Sequence, residues 1–152
     1  MNQIKSHNNI SINKGYNKFI LKYDWDFFIT LTYESNRKPE TIRNHIENIY
    51  NKNYWIESLI WVKEYTKRNL PHLHIVIKTR EKTQSYKTLK KIFKQYGNVN
   101  IQYIDERETY GGYMFKGIDS NNSDWGEMGL QRTMEDEKEQ LRKRYHQLVL
   151  IK

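Results

Sequence analysis

The chain has 152 residues, with 26 lysines and arginines against 18 acidic residues, a formal charge of +8 at pH 7, and no cysteine. That length suits one domain able to bury a core. The lack of cysteine excludes disulfides, thiolate metal ligands and cysteine nucleophiles. A basic surplus suits a polyanionic partner, because each neutralised phosphate releases counterions, although abundant lysine also serves a plain solvated surface. Aromatic residues make up 14% of the chain, with 12 tyrosines and four tryptophans, which suits the stacking of unpaired bases. Met1 to Asn9 is polar, without the apolar core of a signal peptide, and no apolar run approaches a membrane span. The expectation is a cytoplasmic protein with no membrane association.

Residues 1–22 read as a basic lead segment. Trp25 to Tyr33 is rich in aromatic and β-branched residues and predicts a strand, with Ile29 and Leu31 on one face and Thr30 and Thr32 on the other. Pro39 stands where a helix can begin, and Ile42, Ile46 and Ile49 follow at helical spacing. Ser58 to Tyr65 starts as a nearly unbroken apolar run, the mark of a central strand covered on both faces. A turn through Lys67, Arg68 and Asn69 leads to a strand over His72 to Lys78, so the two form an antiparallel hairpin.

Ser85 is a candidate cap for a second helix, with Leu89, Ile92, Phe93 and Tyr96 on one stripe and Gly97 at its end. Val99 to Ile104 alternates as a fourth strand. A short helix carrying Tyr113 and Lys116 follows, then a polar loop over Ser120 to Asp124. A C-terminal helix runs from Gln131 to about Leu148, with Met134, Leu141, Tyr145 and Leu148 expected on its inner side. Strand, helix, strand, strand, helix, strand, helix predicts an α+β fold, a central antiparallel sheet with helices of the ferredoxin-like type. The chain is expected to be one domain over residues 1–152, with its core at about 23–118 and a loop plus helix over 119–152.

The most informative stretch is Pro71-His72-Leu73-His74. Residues i and i+2 of a strand point the same way, so His72 and His74 project together and can hold one divalent ion. An isolated pair of this kind is more often two solvated histidines. Glu64 changes the balance, because a hairpin brings the end of one strand beside the start of the next. Its carboxylate can complete a three-ligand set, or pair with Lys67 or Arg68 at the surface. Mixed nitrogen and oxygen ligands suit manganese or magnesium. Tyr113 and Lys116, at i and i+3, share a helix face. A phenol there can attack phosphorus to form a covalent ester, with the lysine offsetting charge. Taken separately, Tyr113 is equally a core aromatic and Lys116 a solvated charge.

The order of these pieces resembles the HUH endonuclease superfamily, where U is a bulky apolar residue. It most resembles the rolling-circle replication initiators, or Rep proteins, of plasmids and viruses. Phe28-Ile29-Thr30-Leu31-Thr32-Tyr33 resembles their first motif, Pro71-His72-Leu73-His74 the metal motif, and Tyr113-Met114-Phe115-Lys116 the nucleophile motif. Asp124-Trp125-Gly126 is similar to an element that follows the nucleophile helix in many bacterial Rep proteins.

The resemblance implies an RRM-like sheet and a divalent metal, Mn2+ or Mg2+, at His72, His74 and Glu64. It also implies site-specific nicking of single-stranded DNA through a 5′-phosphotyrosine link at Tyr113, with Lys116 assisting. Thr30, Thr32, Lys67, Arg68 and Tyr110 complete the expected DNA-binding set. An origin hairpin is the expected substrate, host replication proteins are candidate partners, and the protein is a monomer or a homodimer.

The chain departs from the larger Rep proteins in having no recognisable helicase region, and Tyr110 lies three residues before Tyr113 rather than four. A single-tyrosine HUH transposase is the nearest alternative, but Gly117 stands where those proteins carry glutamine. A non-catalytic single-stranded nucleic-acid-binding module is the alternative of a different class.

Overall fold

The computed structural model describes residues 23–80, 86–104 and 124–150, apart from the side chains of residues 131–134 and 137. The elements in chain order are β1 (Phe27–Tyr33), α1 (Pro39–Lys52), β2 (Ile56–Tyr65), β3 (Pro71–Thr79), α2 (Tyr86–Lys94), β4 (Gly97–Tyr103), β5 (Asp124–Met128) and α3 (Leu130–Leu150). The lead segment, Ser85, the expected helix of Tyr113 and Lys116, and residues 120–123 of the expected loop lie outside the described residues.

The strands form one sheet in the order β4-β1-β3-β2-β5, and every neighbouring pair is antiparallel. The units β1-α1-β2 and β3-α2-β4 interleave, each placing its middle strand inside the other. That is the split βαβ arrangement of ferredoxin-like folds, so the expected α+β class is observed. β5 is an addition. Asp124 opens this strand instead of closing a polar loop. Its short sequence, with Gly126 at the centre, lacks a strand's usual β-branched run. Its pairing with β2 makes it a strand, with Trp125 opposite Val62 and Gly126 opposite Trp61.

Alternation along the strands separates two faces. Ile29, Leu31, Leu73, Ile75, Ile77 and Trp61 join Ile42, Ile46, Leu89 and Phe93 of α1 and α2 in the main core. On the other face a smaller cluster gathers Trp25, Ile60, Val62, Val76, Trp125 and Leu130. β2 is therefore covered on both sides, as its sequence predicted. At the start of α1, Pro39 occupies the first turn, where its missing N–H is no loss. At Gly97 a Cβ would lie 2.2 Å from the Thr32 carbonyl oxygen, so the close approach of β4 to β1 requires glycine.

Gly129 turns the chain from β5 into α3 with φ +76, and a Cβ there would meet the Glu57 carbonyl oxygen at 2.3 Å. Beyond it the Leu130 N–H donates to Glu127 Oε2 at 2.8 Å, a buried carboxylate answering the positive end of the helix. Along α3, however, Leu141, Tyr145 and Leu148 are exposed, against the expectation of an inner side. Helical periodicity identifies a stripe but not whether anything packs on it. Met134 lies among the undescribed side chains.

A compact ion cluster ties the fifth strand and α1 to β2. Arg43 Nη2 reaches Asp124 Oδ1 at 2.6 Å, and Lys63 Nζ stands 3.6 Å from Asp124 Oδ2. Lys63 is only 5% exposed, so its charge depends on this carboxylate. Replacing Asp124 with alanine should therefore lower unfolding stability by about 3 kcal/mol. Adding Lys63→Met should recover part of that loss, because the stranded charge is gone. Urea denaturation of the two variants measures both effects.

Candidate functional site

β3 is the strand that positions the site. Leu73, Ile75 and Ile77 are fully buried in the main core, so the period of two turns His72 and His74 to the opposite face. The ladders then align neighbours in rows. His72 stands opposite Thr32 of β1 and Glu64 of β2, and Thr32 stands opposite Asn98 of β4. One row along, His74 faces Thr30 and Val62, with Asn100 opposite Thr30 and Trp125 opposite Val62. Polar side chains thus occupy the end of this face near Glu64, and the smaller apolar cluster fills the end near Val76.

The two rings meet edge to face, with centroids 4.8 Å apart and planes at 86°. Thr32 Oγ1 and His72 Nδ1 are 2.8 Å apart, a hydrogen bond whose direction follows the tautomer. When Nδ1–H donates to Thr32, the lone pair is left on Nε2, the form a metal ligand needs. His74 stacks on Phe28, with centroids 5.8 Å apart and planes at 12°. Its Nε2 lies 3.5 Å from Glu64 Oε2. Its Nδ1 is buried without a hydrogen-bond partner among the described residues.

Burial holds the His74 pKa below the ordinary histidine value, and repulsion from His72 adds to the effect. The Glu64 carboxylate opposes both without reversing them. His74 is consequently neutral at neutral pH. Among the described residues, no three His, Asp or Glu side chains stand close enough to enclose an ion as they are. Glu64 remains 42% exposed on a long, rotatable side chain, so it is the member of this set with most freedom to move.

The structure brings together His72, His74, Glu64, Thr30 and Thr32. Lys67 and Arg68 lie exposed in the β2–β3 turn, close in sequence to Glu64, where Asn69 has φ 62. Glu64 reaches His74 and makes no ion pair with either hairpin cation among the described residues. Tyr33, which ends the first motif, faces the other way. It is buried among the helices, and its hydroxyl lies 3.0 Å from His45 Nδ1. Burial raises the Tyr33 phenol pKa far above its usual value, so it stays protonated. Tyr110, Tyr113 and Lys116 lie outside the described residues.

Sequence reasoning missed three contributors to this face. Phe28 braces His74, Trp125 floors the site from a strand that was not foreseen, and Asn98 and Asn100 extend the polar rows to the edge. The alternation of Asn98, Asn100 and Gln102 was the available signal for the asparagines.

Fold and site together define a split βαβ domain whose open sheet face carries a paired-histidine, carboxylate-bearing polar patch. Residues 26–122 match the family of the replication-associated protein ORF2. That span is more than half of the chain, and the protein belongs to this family. Among solved structures, the chain is similar to the hypothetical protein ORF119 from Sulfolobus islandicus rod-shaped virus 1. The identity is 25% and the TM-score 0.45, over 68% of this chain and 91% of that one. No curated protein matches.

The depressed His74 pKa has a measurable consequence. The folded protein accepts this proton less readily than the unfolded chain, whose value is 6.5. Its effect on stability is therefore absent above that pH and becomes a growing penalty as pH falls through it. An NMR titration of the metal-free protein should give a His74 midpoint below 6.5. His72→Gln should raise the midpoint by removing a repelling neighbour, and Glu64→Gln should lower it further. A His74 midpoint at or above the ordinary value in wild type contradicts the burial of this ring.

Proposed function

We propose that this replication-associated protein is a metal-dependent endonuclease that nicks single-stranded DNA, with Tyr113 as nucleophile. The observation that carries the reading is the single row of His72, Glu64 and Thr32, with His74 beside it, on the open face of the sheet. Two neutral imidazoles and a carboxylate form a donor set suited to Mn2+ or Mg2+ beside phosphate oxygens. His74 fits that role because it is held neutral, and His72 because Thr32 can fix its tautomer.

His72, His74 and Glu64 would hold the ion. When bound, it supplies Lewis-acid polarisation of the scissile phosphate. Thr32 orients His72, and Phe28 keeps the His74 ring flat against the sheet. Asn98, Asn100 and Thr30 offer hydrogen bonds to a strand lying across the face, and Lys67 and Arg68 offer charge at its rim. The Tyr113 phenolate oxygen attacks phosphorus while the P–O3′ bond breaks. The phosphate is left on the tyrosine, and the departing 3′ oxygen takes up a proton. Lys116 offsets charge on the phosphate. The chain leaves β4 after Ile104 at one edge of the sheet and re-enters at Asp124 on the other. The segment bearing Tyr113 is thus anchored on both sides of the histidines, and Asp124 pairs with Lys63, the neighbour of Glu64.

Family membership favours replication over transposition. Initiation of rolling-circle replication from an origin hairpin is the role this chemistry fits, with the free 3′-hydroxyl as primer. A purely binding module retains its DNA without metal or Tyr113, which separates that reading from ours.

The test is an origin-hairpin oligonucleotide incubated with the protein and manganese, then run on a denaturing gel. Wild type should give a slow, SDS-stable band that a chelator prevents. Tyr113→Phe should abolish it, while Tyr110→Phe should keep it. Uncut DNA under every condition, with binding intact, favours the binding module. Full cleavage by a His72→Ala, His74→Ala double variant removes the metal assignment.

The same site predicts a role for Thr32 that activity does not have to report. Thr32→Val keeps the shape and removes the hydroxyl, so Mn2+ affinity measured by calorimetry should fall about tenfold or more. Unchanged affinity means that Thr32 does not orient His72.

A further inference from the structure

The C-terminal helix α3 is attached to the rest of the protein at one end. Leu130 is buried in the smaller core and held by Glu127. From Glu135 to Leu150 every residue with a described side chain is exposed. Leu141, Tyr145 and Leu148 are 63%, 68% and 66% exposed, and their spacing of four then three residues draws them into one stripe. A helix this thinly supported gains little from propensity in water and depends on packing of its apolar side.

Charge along the same helix is polarised. Glu135, Asp136, Glu137 and Glu139 fill its first half, and Arg142, Lys143 and Arg144 fill the second. The helix dipole accounts for little of this pattern, because its influence fades within the first and last turns. Here the two blocks meet in mid-helix, between Glu139 and Arg142. Those two residues approach within the helix at 3.5 Å, but both are exposed and the contact is weak.

We propose that α3 pairs antiparallel with α3 of a second copy of this chain. Spacing of four and three places Leu141 and Leu148 at one seam position of a heptad and Lys138 and Tyr145 at the other. In the antiparallel register Leu141 packs against Lys138 of the second copy, whose stem covers it while the ammonium reaches water. Glu135 then flanks Arg142 of the second copy, on both sides of the two-fold axis. A parallel pair would instead lay acidic block beside acidic block and Lys138 against Lys138. The seam is short, so its area lies below the ~1,200 Å² of standard interfaces and the dimer is concentration-dependent.

Sedimentation of the full-length protein over a wide concentration range is the test. Wild type should pass from monomer to dimer. Leu141→Glu with Leu148→Glu should raise the dissociation constant at least about tenfold, with circular dichroism showing an intact sheet domain. Glu135→Arg, a single exposed change that leaves the core alone, should also weaken the dimer. Combining it with Arg142→Glu should restore association, because those positions face each other only in the antiparallel pair. A wild-type protein that stays monomeric at every concentration overturns the proposal. So does a Leu141→Glu, Leu148→Glu variant that dimerises like wild type, or a swapped pair that fails to recover. DNA nicking enters none of these readouts, so the outcome is independent of the catalytic reading.

Discussion

Everything at the site depends on the register of β3. This strand is hydrogen-bonded on both sides, to β1 and to β2. Its buried set, Leu73, Ile75 and Ile77, alternates with His72 and His74. A slip of one residue would exchange the two sets, sending both imidazoles under the helices and three aliphatic side chains into water. The cost of such a slip is the whole main core, so the hydrophobic effect fixes the histidines more firmly than any contact they make themselves. The same register sets Glu64 opposite His72 and Thr32 on its other side.

The open face is not uniform, and its two ends do different work. Near Val76 it is apolar, where Trp25, Ile60, Val62 and Trp125 exclude water. Near Glu64 it is polar and partly exposed. His74 sits at the boundary, stacked on Phe28 and close to Glu64. This position explains its protonation. Enough of the ring is removed from water to disfavour the cation, and the one carboxylate near it is too exposed to compensate. A ring kept neutral by its surroundings is suited to donating a lone pair across the physiological pH range.

β5 and α3 extend the four-stranded unit in contrasting ways. β5 is locked by Arg43, Lys63 and Asp124 on the helix side and by Trp125 on the other. It closes the edge of β2 and completes the floor of the site. Gly129 then redirects the chain, and α3 leaves the sheet with its apolar stripe uncovered. Stability is concentrated in the sheet and its two packed helices, and the far end of α3 draws little from them.

Much of the architecture was legible in the residues. Period-two alternation identified β1, β3 and β4, an unbroken apolar run identified β2 as central, and Ile42, Ile46 and Ile49 marked the buried side of α1. The pair His72 and His74 followed from alternation alone, because side-chain direction in a strand is a local property. Strand order was not local. Only the tertiary fold set β1 between β3 and β4, and so gave His72 its Thr32 partner and His74 its Phe28 brace. β5 escaped detection because five residues containing a glycine carry too little intrinsic preference, and its state is decided by the vacant edge of β2. The exposure of Leu141, Tyr145 and Leu148 was hidden for the complementary reason. Periodicity in a sequence specifies which residues share a side of a helix, whereas what that side meets is a property of the assembled surface.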